Sequence, residues 1–294
     1  VDDQPSKRIV WRAYWEAATL TTEHARYLDG RGIDAARWGI RSTGTAAWQT
    51  CLDTTDGKAM MEAGIACLDG ESDELRPTMT FRRRILIPVW SEDGSKLLYL
   101  FGYQPKPARQ DGETERAYYD RTKQHIKLTS IKSATPHPWG YRDDAVPICV
   151  VTEGQFKAMA SCQAGIPAIG VPGIGNCHTE VVSRLKGFQG AVVIVFDQQA
   201  TNQAIVDHQG FRLARATIKA GLSTYWCRLP RPPESDKTDI DGLINQQGIP
   251  AYLSALQTAQ PIEIAAVDPH VPESIDTDHI SPTSSDPFES VASV

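Results

Sequence analysis

From Pro147 onward, the chain alternates short unbroken apolar runs with longer amphipathic segments, and this alternation constrains the fold more than any other feature. Strands read as continuous apolar runs when helices cover both faces of a parallel sheet. The longest periodic segment places Phe211, Ala214 and Ile218 on one helical face. The predicted strands are 148–152, 166–170, 191–196 and 222–228, and the predicted helices are 155–164, 178–187 and 203–220. We therefore predict an α/β domain with a parallel sheet and helices on both faces.

Two of these predicted strands end in a carboxylate. The first run ends in Glu153, which Gly154 and a predicted helix follow, and the third run ends in Asp197. Ligands of open α/β sheets collect at the carboxyl ends of the strands. Two carboxylates at that edge suit Mg²⁺, which binds few protein carboxylates and keeps places for water and phosphate. The pattern predicts a magnesium site at this edge of the sheet.

The first half of the chain predicts a smaller α+β domain. Helical periodicity runs from Glu23 to Leu28, and a second short helix is predicted from Asp34. Two apolar runs, 84–90 and 96–103, flank a turn and predict a β-hairpin. We expect three regions: an α+β domain over 1–146, the α/β domain over 147–260, and a disordered acidic tail or linker over 261–294.

The formal net charge of −6 combines segments of opposite sign. Residues 262–294 contain seven acids and no Lys or Arg, so without these acids the net charge would be +1. Between 76 and 132, twelve Lys and Arg stand against six Asp and Glu, which favours contact with a phosphate backbone. Scattered cysteines and the lack of a long apolar run favour a cytoplasmic protein with reduced thiols. The residues predicted to bind nucleic acid are Arg82, Arg83, Arg84, Lys106, Arg109, Arg121, Lys123 and Lys127.

The motifs together resemble the Toprim domains of primases, topoisomerases and related nucleases, in which one strand ends in Glu-Gly and another in Asp-x-Asp. The match extends to Toprim-like domains of phage and plasmid replication proteins. The segments that carry it are Thr152-Glu153-Gly154, Lys157-Ala158, 164–170, Asp197 with Thr201-Asn202, and Lys237-Thr238-Asp239-Ile240-Asp241. In the first half, 27–33 and 101–105 resemble the region before Toprim in bacterial-type primases. The resemblance covers about residues 20–258.

This resemblance implies a nucleotidyltransferase, dependent on Mg²⁺ or Mn²⁺, that makes primers on single-stranded DNA from nucleotides in mobile-element replication. It implies that Glu153 and Asp197 are catalytic, with Glu153 either a metal ligand or a general base. Lys157, Gly173 and Gly175 are predicted to bind phosphate, because a first-turn lysine and glycine-rich backbone can both face anions. A replicative helicase is the candidate partner of the acidic tail, and no membrane partner is expected.

One position departs from the family pattern, since Gln199 stands where the second aspartate of Asp-x-Asp would be. An amide oxygen can bind Mg²⁺ but carries no charge. Either the metal-ligand set is reduced, or Asp239 and Asp241 from a following loop supply the missing charge. Two further functions fit the same motifs, namely a Toprim-type metal-dependent nuclease and a degenerate domain that binds nucleic acid without chemistry. The predicted metal ligands are therefore Glu153, Asp197, Gln199, Asp239 and Asp241.

Overall fold

The chain forms two compact units in a computed structural model, one over Val1–His137 and one over Pro138–Val294. The residues that the structure describes are 5–78, 84–91, 93–105, 110, 112–114, 117, 138–175, 177–199, 203–233 and 235–262. The sequence pattern predicts the division at 146/147, whereas the contacts divide the chain before Pro138. The difference arises from Trp139–Gly140, a strand too short to give an apolar run that nevertheless pairs within the second unit.

The first unit contains helices around two small antiparallel sheets. Its described helices are α1 (Pro5–Ala17), α2 (Thr22–Asp29), α3 (Thr45–Thr54) and α4 (Gly57–Glu62). Its described strands are β1 (Arg41–Ser42), β2 (Ala66–Leu68), β3 (Leu75–Pro77), β4 (Ile85–Trp90) and β5 (Leu97–Tyr103). Strand β4 lies between β1 and β5 and is antiparallel to both, and β2 pairs with β3. The predicted hairpin is confirmed as β4 and β5.

The second short helix predicted from Asp34 is wrong. The Asp34 side chain accepts a hydrogen bond from the Arg37 backbone N–H at 3.0 Å, but only turns follow. Gly39, with φ of +61°, takes the left-handed conformation that ends such a turn. Helix α1 is not among the predicted helices, although its buried residues Val10, Trp11 and Tyr14 lie at helical spacing on one face. In that face, Trp11 donates a hydrogen bond from Nε1 to the Ala63 carbonyl at 2.8 Å.

The second unit is an α/β layer structure, as predicted. Its described strands are β6 (Trp139–Gly140), β7 (Ile148–Glu153), β8 (Ala168–Val171), β9 (Ala191–Val195), β10 (Gln198–Gln199), β11 (Ser223–Trp226), β12 (Lys237–Thr238) and β13 (Gln260–Pro261). Its described helices are α5 (Gln155–Gln163), α6 (His178–Arg184), α7 (Gln203–Lys219), α8 (Ile240–Gln247) and α9 (Ile249–Gln257). The six-stranded sheet has the order β13-β11-β9-β7-β8-β6, in which the four central strands are parallel and the two edge strands antiparallel.

Alternate residues of the central strands build the core of this unit. Cys149, Val151, Ile194 and other residues of the same face form one buried cluster with Val181 of α6 and Leu213 of α7. The opposite face is also buried, and Tyr252 of α9 and Ser161 of α5 are hydrogen-bonded 2.8 Å apart. Burial on both faces explains why these strands read as unbroken apolar runs.

The sequence pattern does not predict helices α8 and α9, and the loop expected around Asp239 and Asp241 is wrong. Asp239 is the N-cap of α8, since its Oδ1 accepts a hydrogen bond from the Gly242 N–H at 3.0 Å. Asp241 lies in the first turn of that helix and is buried. The predicted acidic tail, apart from Pro261 and Ile262, lies outside the described residues. Among the described helices, none has the length and apolar character needed to span a bilayer.

Candidate active site

The turn between β7 and α5 places Glu153 at the carboxyl edge of the sheet. Gly154 has φ of +85° and ψ of 156°, a conformation that essentially only glycine adopts, and its N–H donates a hydrogen bond to the Val171 carbonyl. A Cβ at Gly170 on the neighbouring strand would come within 3.0 Å of the Gly154 carbonyl oxygen. Two glycines therefore allow a tight strand-to-helix turn that presents the carboxylate.

Asp197 follows β9, the strand next to β7, and is almost completely buried, with 2% of its surface exposed. Its carboxylate is held by two lysines. Lys157 Nζ lies 2.9 Å from Oδ1 and 3.0 Å from Oδ2, and Lys237 Nζ lies 2.6 Å from Oδ2. Lys237 Nζ is also 3.5 Å from Asp239 Oδ2. We call Glu153, Lys157, Asp197, Lys237 and Asp239 the acid–lysine cluster.

A short ribbon holds Lys237 in this place. Strand β10 begins directly after Asp197 and pairs antiparallel with β12, with Gln199 opposite Lys237. The backbone N–H of Gln199 donates to the side-chain oxygen of Gln203 at 2.8 Å, which ties β10 to the start of α7. The position of the family's second aspartate therefore lies across the ribbon from a lysine.

The pKa values of two members of the acid–lysine cluster, Glu153 and Lys237, are both raised. Burial raises the pKa of Glu153; Lys157 and Lys237 oppose this shift, and the charges of Asp197 and Asp239 add to it. Burial alone would lower the pKa of Lys237, but its ion pair and hydrogen bond with Asp197, helped by Asp239 and Glu153, leave that pKa raised. The cluster thus contains a carboxyl group that accepts a proton more readily than usual, beside an ammonium that retains its proton.

We expect Glu153→Gln to raise stability at neutral pH by on the order of 1 kcal/mol, because it removes a partly buried charge. The folded-state pKa of Glu153 is above its unfolded value, so the destabilisation is absent at acid pH and appears as pH rises through the unfolded value of about 4.3. Urea unfolding at pH 4 and pH 8 should therefore show the gain only at pH 8.

The matched control is Asp144→Asn, which removes a carboxylate that is 69% exposed. This change should alter stability by less than about 0.5 kcal/mol at either pH. A gain for Glu153→Gln of equal size at both pH values would show that burial of the charge is not its cause.

The structure brings together only some of the predicted metal ligands. Asp197 and Asp239 both contact Lys237, and the charges of both acids raise the pKa of Glu153. Within the described residues, no three His, Cys, Asp or Glu side chains converge as a metal site would require. Metal binding by Glu153, Asp197, Gln199, Asp239 and Asp241 stays a prediction.

The predicted phosphate-binding residues differ in their surroundings. Lys157 is buried against Asp197 instead of lying exposed in the first turn of α5. The N–H of Gly173 donates to the Val171 carbonyl at 2.8 Å, so it closes a tight turn and is not directed at a ligand. Gly175 lies near the Gln209 side chain. The Gly173 N–H is therefore already used within the turn, whereas Gly175 is exposed and phosphate binding by Gly175 stays a prediction.

Of the predicted nucleic-acid-binding residues, only Arg84 lies in the described part of the chain. It is 1% exposed at the start of the β4 region, with its backbone N–H donated to Thr43 Oγ1 at 2.7 Å. A side chain buried to this degree cannot lie along a template backbone, so we remove Arg84 from the predicted interface. The others lie outside the described residues: Arg82, Arg83, Lys106, Arg109, Arg121, Lys123 and Lys127.

Lys237 is a site residue that the predicted set lacks, although it belongs to the segment 237–241 that carries the resemblance and contacts Asp197 more closely than Lys157 does. The available signal is its place directly before the Thr238-Asp239 helix start, in a segment with two aspartates. A lysine at the end of a short polar segment has no apolar periodicity, so the pattern alone does not indicate that it folds back onto Asp197.

The carboxylates of the acid–lysine cluster suit a divalent ion, but lysine ammonium groups compete with such an ion for Asp197. Asp197 Oδ1 is buried and makes no hydrogen bond, because its 2.9 Å approach to Lys157 has the geometry of an ion pair only. Such an oxygen retains the capacity to coordinate a hard cation. Oδ2, in contrast, is held by the Lys237 ammonium. A metal ion on Oδ1 would therefore lie beside Lys157, and one that also uses Oδ2 must displace or share with Lys237.

Comparisons with known proteins support the fold. Residues 138–251 match the family described as Domain of unknown function DUF3854, a span that begins where the second unit begins. A DNA primase of Thermotoga maritima is 23% identical over 266 residues, which cover 86% of this chain and 42% of that protein. The chain thus spans about two fifths of the length of the curated primase that it matches.

Solved structures of primases match nearly the whole chain. The Aquifex aeolicus primase, with zinc-binding and RNA polymerase domains, superposes with a TM-score of 0.61 at 16% identity, covering 89% of this chain and 63% of that one. A DnaG primase catalytic domain bound to single-stranded DNA gives a TM-score of 0.56 at 15% identity, covering 87% and 80%. The resemblance seen in the sequence is confirmed at the level of the fold, which is that of primase catalytic cores.

Proposed function

We propose that this chain is the catalytic core of a primase-like nucleotidyltransferase that makes primers on a single-stranded DNA template. The observation that carries the proposal is the acid–lysine cluster, in which Glu153 and Asp197 end neighbouring parallel strands on a primase-type fold. A solved neighbour of that fold binds single-stranded DNA, which supports the template class. Nucleotides are the second substrate.

The reaction would join the 3′-hydroxyl of one nucleotide to the α-phosphorus of another nucleoside triphosphate and release pyrophosphate. In this proposal Glu153 accepts the hydroxyl proton, a role that its raised pKa favours. The ammonium groups of Lys157 and Lys237 supply positive charge beside the developing negative charge. When held by Asp197, with Asp239 or Asp241 as a further ligand, Mg²⁺ or Mn²⁺ would lower the pKa of the attacking hydroxyl and neutralise the triphosphate.

Incorporation of labelled nucleotides on single-stranded DNA with Mg²⁺ or Mn²⁺ tests this function. We expect primers from the unaltered chain and a loss of at least a hundredfold in Glu153→Gln, because general base catalysis contributes about 10²–10⁴ in rate. Asp53→Asn is the control, since Asp53 is an exposed acid of α3 whose side chain accepts a hydrogen bond from Gln49. Full product from a Glu153→Ala, Asp197→Ala double variant would contradict the proposal.

A non-catalytic nucleic-acid-binding module is the second candidate, because Gln199 lacks a charge and two lysines hold Asp197. It predicts binding of single-stranded DNA that weakens with salt and is unchanged by Mg²⁺, without primer synthesis. Cleavage of DNA in the absence of nucleotides would instead favour a metal-dependent nuclease. Three inferences stay predictions: nucleic-acid binding by the remaining seven predicted residues, a helicase partner of the tail, and a role in mobile-element replication. The seven residues are Arg82, Arg83, Lys106, Arg109, Arg121, Lys123 and Lys127.

A further inference from the structure

We propose that Lys237 is a tethered competitor of the divalent ion at Asp197. Its ammonium leaves the carboxylate when a metal–triphosphate complex enters, and it then pairs with the triphosphate. This inference rests on the proposed function, and it makes Lys237 the residue that couples metal binding to nucleotide binding.

The two lysines on Asp197 differ in how readily they can leave. The Lys157 side chain is 11% exposed and lies inside α5, whereas the Lys237 side chain is 44% exposed and lies on a two-residue strand. Breaking a buried ion pair is costly, while an ammonium with access to water is resolvated when it leaves. Only Lys237 is therefore placed to exchange.

The net charge of the acid–lysine cluster depends on whether Lys237 is bound to Asp197. Three carboxylates and two ammonium groups give a net charge of −1, so a bare dication gains little from the cluster as it stands. Withdrawal of Lys237 leaves −2, which one divalent ion neutralises. A triphosphate gives the withdrawn ammonium another anion to bind, so the metal ion and the nucleotide should favour each other.

Gln199, which lies across the β10–β12 ribbon from Lys237, also supports Lys237 as the lysine that exchanges. Gln199 is the Cα partner of Lys237, and directly opposed residues of an antiparallel pair place their side chains on the same face. An aspartate at 199 would give Lys237 a carboxylate beside it even after it left Asp197. With the neutral Gln199, the ammonium that leaves Asp197 gives up its 2.6 Å ion pair and retains at most the 3.5 Å approach to Asp239, so it can bind an incoming phosphate.

Binding of Mn²⁺, measured by electron paramagnetic resonance, tests the exchange without any need for activity. The probes are Mn²⁺ alone and a preformed complex of Mn²⁺ with a non-hydrolysable nucleoside triphosphate. In Lys237→Met we expect about tenfold tighter binding of Mn²⁺ alone and about tenfold weaker binding of the complex, since the competitor and the phosphate partner are the same group. Lys237→Arg should retain both properties in part.

Lys219→Met, which removes an exposed lysine at the end of α7, is the matched control and should change neither affinity. Thermal melting monitored by circular dichroism verifies that each variant is folded. Changes of the same sign for the two probes, no change, or no Mn²⁺ binding by Lys237→Met would each overturn the proposal. Opposite changes without primer synthesis by the unaltered chain would leave the exchange intact and reject the proposed function.

Discussion

Asp197→Asn is expected to lower the free energy of unfolding by about 3–5 kcal/mol, the cost of removing one partner from a buried ion pair. The carboxylate is 3% exposed and is the anion for both lysines, so its loss leaves two ammonium groups close together. Lys157 is the more affected, because little water reaches it. Urea unfolding of the whole chain measures the difference.

A matched surface pair isolates the effect of burial. Asp207 and Arg228 form an ion pair of 2.8 Å with side chains 20% and 44% exposed, so Asp207→Asn should cost no more than about 1 kcal/mol. Adding Lys157→Met to Asp197→Asn should restore part of the lost stability, because the uncompensated charge is then removed. A loss for Asp197→Asn no larger than that for Asp207→Asn would show that the carboxylate does not hold the cluster together.

The second unit could be predicted from the sequence because its strands are buried on both faces. The run from Ile148 to Glu153 has no polar alternation and ends at a glycine, so both the strand and its last carboxylate follow from the pattern. The position of Asp197 can be predicted for the same reason, because an unbroken apolar run also precedes it. Parallel pairing then brings the two ends to one edge, which is the part of the candidate site that the sequence determines.

The parts that escape prediction depend on contacts between distant residues. Lys237 reaches Asp197 only because a two-residue ribbon forms, and Arg84 is buried by a hairpin whose face cannot be assigned from charge alone. Helix α8 is different, since an aspartate directly before the segment 240–247 is a recognisable N-cap signal. The spacing of the two acids there suggests a ligand loop, but the two acids begin a helix that Asp239 caps through Oδ1, and metal binding by either acid stays a prediction.

Gly210→Ala is expected to destabilise the second unit by about 3 kcal/mol, near the upper end for inserting a methyl group into a packed core. Gly210 lies in the middle of α7 against Trp226 of β11, and a Cβ there would come closer than 3.0 Å to the indole ring. Alanine stabilises a helix relative to glycine by only about 1 kcal/mol, so the steric clash outweighs this gain and the substitution is destabilising.

Two phenylalanine rings pack against the Trp226 indole. Phe211 stacks on Trp226 at a centroid distance of 5.3 Å, and Phe196 contacts it edge-on at 6.3 Å. Phe196 directly precedes Asp197, so a displaced indole should also disturb the carboxylate and weaken Mn²⁺ binding. Gly70→Ala, at an exposed turn with open space around the new Cβ, should change stability by less than about 0.5 kcal/mol. If Gly210→Ala unfolds at the same urea concentration as the unaltered chain, the close helix–strand contact that supports Asp197 is not as described, and the geometry of the acid–lysine cluster loses its support.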